Sequence, residues 1–311
     1  MIPVSRGERR PVALPSAAAA RGRRIATPYL LLLPAAAMYA VFTVYPLFRQ
    51  FDISFYNWHI FPGASNPFTG LSNYRQVIHD PVVRTAAFNT LLYAVITVPA
   101  QMLLGLVAAA MLTDRLPGRA LWRALIFIPV VTSWVIVSYI FAYLFNAQDG
   151  LANSVVSLFA GHAMHVDWLA QTWTGNGVIW LVGIWKGVGW SFVIFLAALD
   201  GMPRDLVEAG RIDGASEPVL WRKVIIPSIR PAMVFVLVLL IIGASQVFTQ
   251  VYLMTQGGPY DSTQVLYTWA YQQAFTNFEF SYAAALASLI AVVVLALSVA
   301  EVQVLRRNPG G

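Results

Sequence analysis

The sequence predicts an all-α integral membrane protein with six transmembrane helices, and three observations carry that prediction. The chain of 311 residues is 58% hydrophobic and only 11% charged, against roughly 25% charged residues in ordinary soluble domains. Six apolar runs are each long enough to cross a hydrocarbon core, which takes about 20 residues in a helix. The basic residues then sort by side: sixteen of the twenty Lys and Arg fall at the two termini or in alternate connections.

The first run, near 28–49, follows a basic, Ala- and Pro-rich tail that ends at Ala26 and holds Arg6, Arg9, Arg10, Arg21, Arg23 and Arg24. A basic tail before an apolar run resembles a secretory signal. A signal's apolar core spans only about 7–15 residues, however, so this run reads as a retained first helix. The second and third runs, near 86–112 and 121–145, are joined by a connection holding Arg115 and Arg119, with Arg123 just inside the third. Between the fourth run, near 178–199, and the fifth, near 231–254, lie Arg204, Arg211, Arg222, Lys223 and Arg230. The sixth, near 282–304, precedes Arg306 and Arg307; the exceptions are Arg49, Arg75, Arg84 and Lys186. By the positive-inside rule both termini and the fourth-to-fifth connection face the cytoplasm.

Three outward loops remain, near 50–85, 146–177 and 255–281, with turn signals at Pro62-Gly63 and Gly257-Gly258-Pro259. The first two are long enough for short interfacial helices. No short-period repeat and no linker divides the chain. It is parsed as a tail at 1–26, a transmembrane domain at 27–307 with a charged connection at 201–229, and a short tail at 308–311.

Much chemistry is missing. With no cysteine, the chain has no disulfide, thiolate cluster or cysteine nucleophile. No G-x-x-x-x-G-K-[ST] loop is present to cradle a nucleotide phosphate. His162 and His165 read as a solvated loop pair rather than a metal site, as thiols are lacking and carboxylates are distant. An ion-driven transporter would bury acids near the bilayer midplane. Here Asp200 and Glu301 fall at helix ends, and Glu279 precedes the last helix. Lys186, placed near the outer end of the fourth helix, is expected to snorkel to the interface, with a substrate contact as the other reading. Any transport must therefore draw its energy from another subunit.

The connection EAGRIDGASEPVLWRKVIIP, residues 208–227, is charged where its surroundings are apolar. Pro203 can open a helix, Asp205 and Glu208 suit its first turns, and Gly214 can end it in the left-handed conformation. Arg204, Glu208 and Arg211 are spaced to pair along one side, while Leu206, Ala209 and Gly210 share the other and allow close approach by a partner. Ser216 can cap a second short helix, and Pro227 and Pro231 punctuate the return to the membrane. A solvated topology loop would not need these caps, nor the apolar Leu206, Ile212, Val219, Leu220 and Trp221. The segment reads as a partner surface.

These residues resemble the cytoplasmic loop of ABC-importer permeases, written Glu-Ala-Ala, three residues, Gly, nine residues, Ile-x-Leu-Pro. Glu208-Ala209-Gly210, Gly214 and Val224-Ile225-Ile226-Pro227 fall in register, with Gly210 in place of the usual Ala. Trp185-Lys186, FLAALDGMPRDL, YLMTQGGPYDST and AFTNFEFSYAAALA resemble the carbohydrate-type branch, and the likeness extends over roughly residues 28–307. The resemblance implies a type I ABC-importer permease fold in a prokaryotic inner membrane. It implies a coupling helix at Glu208, Ala209, Gly210, Arg211, Asp213 and Gly214, seated in a cytoplasmic ATPase. It implies as partners a second homologous permease, ATPase subunits that bind ATP and Mg, and an extracytoplasmic solute-binding protein. This chain itself would hold no cofactor and no metal, bind no nucleic acid, and touch lipid and a small polar substrate.

For the substrate path, Ser245/Thr249 and Gln246/Gln250 form i,i+4 polar pairs in the fifth helix, with Tyr252 close beyond. Such groups line a cavity or bond to a neighbouring helix. Trp190 can stack on a sugar face; Tyr282 can do so or sit in the interfacial aromatic belt. Amides and aromatic faces without a buried carboxylate or arginine cluster suit a neutral sugar or oligosaccharide. Lys186 keeps glycerol 3-phosphate or a glycerophosphodiester open. A membrane-embedded enzyme or scaffold would need a catalytic constellation or an appended partner domain, and the sequence holds neither.

Overall fold

The computed structural model describes residues 30–61, 63, 65–113 and 117–307. The basic tail through Ala26, Pro62, Arg115 and residues 308–311 lie outside that set. Among the described residues there is no strand, only an isolated antiparallel bridge between Tyr56 and Phe68. The chain divides into two units, residues 1–52 and 53–311. In the first, α1 (Leu30–Ile53) is an apolar helix of spanning length. It carries a one-turn π segment at Ala40–Val44, and Arg49 pairs with Asp52 one turn on.

The second unit runs α2 (Ser72–His79), α3 (Pro81–Thr113), α4 (Arg119–Val131), α5 (Trp134–Leu144), α6 (Leu151–Ala160) and α7 (Thr172–Asp200). It continues with α8 (Arg204–Ile212), α9 (Glu217–Leu220), α10 (Ile226–Ser245), α11 (Thr249–Met254), α12 (Leu266–Phe275) and α13 (Phe280–Arg307). Among the described residues, five helical stretches, α1 included, are long and apolar enough to span, and the bent pair α4–α5 makes a sixth. The outer helices α2 and α6 fall in the loops expected to hold them; α12, in the third outer loop, was not expected.

The centre of the unit is the packing of α3 against α7. In lipid there is no hydrophobic drive between helices, so close contact rests on small residues that let backbones approach. Gly105 is such a point: a Cβ there would lie 2.5 Å from the Ser191 Cβ. Beside it Ala109, Phe192, Phe195 and Leu199 close a core with Ile229 and Val236 of α10. At the same end Arg123 Nη2 reaches Asp200 Oδ2 at 3.1 Å, tying the start of α4 to the end of α7.

The structure differs from expectation at four places: the third span, the prolines of the fifth, the Ser216 cap and Tyr282. The third span is not continuous: α4 and α5 meet at 96° across Thr132 and Ser133. Pro129 lacks an N–H and opposes the preceding turn, and Ser133, extended, caps α5 by accepting from the Val135 N–H at 3.3 Å. The prolines near the start of the fifth span do not interrupt it. The helix passes from α9 through a π turn at Trp221–Ile225 into α10, with Pro227 in its first turn and Pro231 inside; no hydrogen bond from the Ser216 side chain caps α9. The interruption comes at the other end, between α10 and α11 at Gln246–Phe248.

Tyr282 is neither a belt residue nor a cavity residue. It is buried, and its hydroxyl bonds to Asp80 Oδ2. Trp269 Nε1 donates to the same carboxylate oxygen at 3.3 Å and to the Tyr282 hydroxyl at 3.2 Å. This knot fastens α12 and α13 to the start of α3.

Candidate functional site

A cavity of about 480 Å³ lies among α3, α7, α10, the first residue of α5 and the chain around the second break. Its size is within the range of about 300–1,000 Å³ typical of small-molecule sites. From α3 come Tyr93, Thr97 and Gln101, part of the stripe Asn89, Tyr93, Thr97, Gln101 and Gly105 set four residues apart. Residues four apart share a helix face, so this polar line is a signal the sequence carries in the second span besides the polar pairs of the fifth. The glycines of GIWKG, Gly183 and Gly187, face that stripe. A Cβ at Gly183 would fall 2.3 Å from the Tyr93 hydroxyl oxygen, and one at Gly187 would fall 2.2 Å from Gln101 Oε1. The glycines are the room those polar side chains occupy.

The stripe is partly satisfied by protein. Gln250 Nε2 donates to the Tyr93 hydroxyl at 3.0 Å, and Gln101 Nε2 donates to the Gly183 carbonyl at 3.1 Å. Among the described residues, the hydroxyls of Thr97 and Ser191 have no hydrogen-bond partner and are buried, and both residues line the cavity. Trp134, Trp190 and Phe248 add aromatic faces. None of the lining residues is charged, so the site can offer hydroxyl and amide hydrogen bonds and stacking surface, but no ion pair.

Of the residues expected on the substrate path, Gln246, Thr249, Gln250 and Trp190 line this cavity. The other three do not. Ser245 turns its hydroxyl back to the Ile241 carbonyl at 2.8 Å. Tyr252 stacks on Phe248 at 5.2 Å and meets Tyr271 edge-on at 5.0 Å. The helix break also means that 245/249 and 246/250 are not one-turn neighbours on a continuous helix; the break swings Gln250 against α3 instead.

Lys186 departs furthest from expectation. It sits at the middle of α7, not its outer end, and it is buried rather than snorkelling. Its Nζ donates to the carbonyls of Thr132 at 2.6 Å and Pro129 at 2.7 Å, with the Val130 carbonyl at 3.4 Å. The sequence distance of more than fifty residues concealed this, since only the fold of the broken third span presents those carbonyls to α7.

The charged connection forms the helix expected of it. α8 ends at Gly214 with φ +78°, where the Ala215 N–H reaches the Gly210 carbonyl at 3.0 Å and the Gly214 N–H reaches that of Arg211 at 3.1 Å. These paired bonds are the left-handed C-cap that a glycine permits. Glu208, Ala209, Arg211, Asp213 and Gly214 are all exposed, and the apolar Ile212 is 86% exposed. Arg211 pairs across the turn with Glu217 at 2.9 Å rather than with Glu208. Gly210 does not wait for a partner protein. A Cβ there would lie 2.5 Å from Cδ2 of Leu220, a fully buried side chain of the same loop.

The family model for the inner membrane component of binding-protein-dependent transport systems matches residues 101–307, which hold α8, the second break and most of the cavity wall. The chain belongs to that family. This permease is 33% identical over 307 residues to the arabinooligosaccharides transport system permease protein AraP of Bacillus subtilis, with 96% of each chain covered. It is 29% identical over 282 residues to the sn-glycerol-3-phosphate transport system permease protein UgpA of Pectobacterium atrosepticum, covering 90% of this chain and 94% of that one. Its fold matches a chain in the crystal structure of a bacterial ABC transporter involved in the import of alginate, at a TM-score of 0.82 and 20% identity, over 94% of this chain and all of the other. The type I importer permease fold and a multi-pass place in the inner membrane are thereby established for this permease.

Proposed function

We propose that this permease forms half of the translocation pathway for a neutral sugar or oligosaccharide in an ATP-driven importer. The carrying observation is the cavity wall: hydroxyls, amides and aromatic faces converge on it, two hydroxyls there lack a protein partner, and no charged side chain lines it. A polyhydroxy solute matches the amide and hydroxyl groups of that wall and offers a face to Trp134 and Trp190. The relative named for sn-glycerol 3-phosphate keeps a phosphate-bearing solute as the second reading. Against it, the nearest buried cation, Lys186, is occupied by backbone carbonyls.

The other half of the pathway belongs to a second, homologous permease, with solute delivered by an extracytoplasmic binding protein. Both termini and α8 face the cytoplasm on the distribution of basic residues. There α8 docks on a partner ATPase, which alone binds ATP and Mg. A capped helix moves as a body, so its displacement reaches α7 and α10, the walls of the cavity. Swinging such a two-state pathway from 1:99 to 99:1 takes about 5.5 kcal/mol of differential binding, within reach of a nucleotide-driven partner. Glu208 and Gly214 lead the contact, with Ala209, Arg211 and Asp213 beside them.

The test is the assembled transporter carrying Glu208→Lys or Gly214→Pro. Both should abolish uptake and the ATP hydrolysis stimulated by loaded binding protein while leaving assembly of the permeases intact; retention of both activities refutes the docking role. Uptake across a panel of oligosaccharides and sn-glycerol 3-phosphate decides the solute class separately.

A further inference from the structure

We propose that Lys186 is a positioning residue that holds the third span in its broken form and thereby sets Trp134 in the cavity wall. A helix end leaves its last carbonyls without intrahelical partners, and in lipid each such group is costly. The end of α4 faces this problem beside Pro129, and the Lys186 ammonium meets it by donating to Thr132 and Pro129 at 2.6 and 2.7 Å, close to Val130 at 3.4 Å. A cation also complements the negative pole of a helix C-terminus. The same ammonium lies 5.0 Å from the centre of the Trp134 ring, an attractive cation–π distance, and Trp134 is the α5 residue that reaches the cavity.

Gly189 makes this reach possible. It lies one turn from Lys186 on α7, and a Cβ there would fall 2.7 Å from the Ile126 carbonyl oxygen and 2.5 Å from Val130 Cγ2. The α4 backbone therefore rests directly on α7, and the lysine stem covers the remaining distance to the break. Gly183 and Gly187, either side of Lys186, line the cavity. One short segment of α7 thus shapes the cavity on one face and pins the broken span on another. The inference is independent of which solute is carried, and its test reads geometry rather than uptake.

The experiment measures the distance between spin labels at Leu121→Cys on α4 and Tyr143→Cys on α5, in the full-length permease purified with its accompanying subunits. Both sites are exposed, at 63% and 70%, and the chain has no cysteine of its own. At a rise of 1.5 Å per residue the two backbone positions lie about 33 Å apart in a straight span and about 21 Å apart across the observed bend. Native Lys186 should give the short distance. Lys186→Met should move the population toward the long one, and Lys186→Arg, which keeps donors and charge, should restore the short one. A Lys186→Met protein with the native distance and width overturns the proposal. If Lys186→Met does not assemble, Lys186→Arg decides: assembly with the short distance supports the clasp, and a long distance or failed assembly overturns it. A lysine that merely stabilised the bundle would lower the melting temperature without moving this distance.

Discussion

The side-chain amide of Gln250 donates to the hydroxyl of Tyr93 at 3.0 Å, and both side chains are buried. The bond joins the helix that restarts after the second break to the polar stripe of α3, so two cavity walls are held by one contact. Tyr93→Phe removes the acceptor and strands the amide. The expected loss is about 1–3 kcal/mol, the cost of a buried unsatisfied polar group, read as a fall in the melting temperature in detergent. Tyr93→Phe combined with Gln250→Leu should recover most of it, because replacing both partners by apolar groups leaves nothing unpaired.

Gly189→Ala should be poorly tolerated. The new methyl group meets the backbone oxygen of Ile126 at 2.7 Å, and backbone cannot rotate away as a side-chain tip can. Purified yield and melting temperature should both fall. Gly243→Ala is the control: it lies in the membrane and lines the cavity, but a Cβ there meets nothing within 4 Å, so stability should be unchanged.

Gly210→Ala would bring the loop closer to the usual Glu-Ala-Ala pattern, yet it should destabilise this protein. Leu220 is fully buried, so its tip has no free space to turn into, and overpacking of this kind costs about 1–3 kcal/mol. Because the clash is with the end of a side chain, Leu220→Val should relieve it. The comparison of melting temperatures for the single and double variants checks this.

Asp80 accepts from two buried donors, the Tyr282 hydroxyl and Trp269 Nε1. Asp80→Ala leaves both without their common acceptor and should loosen α12 and α13 from α3, seen as faster hydrogen exchange across 266–290. Asp80→Asn retains an acceptor oxygen and should lose much less protection.

The spans were legible because burial in lipid demands about 20 apolar residues in one stretch, a local property that the chain displays openly. The capped helix at 204–212 was legible for a similar reason: Pro203, Asp205 and Gly214 act on their own backbone within a turn. From the sequence alone, Gly210 in place of the usual Ala reads as a softer helix. The structure instead shows a glycine that admits Leu220, and nothing adjacent in the sequence indicates which side chain will arrive there.

Composition and spacing by themselves determined the class of protein, the number of spans and the position of the charged helix, since each follows from the hydrophobicity or dihedral preference of neighbouring residues. The two breaks, the cavity between them and the partners of Lys186, Gln250 and Tyr282 were decided only by tertiary structure. A polar group at membrane depth must find a partner inside the protein, and which helix supplies it depends on how the spans pack, at separations from 13 residues for Trp269–Tyr282 to 202 for Asp80–Tyr282.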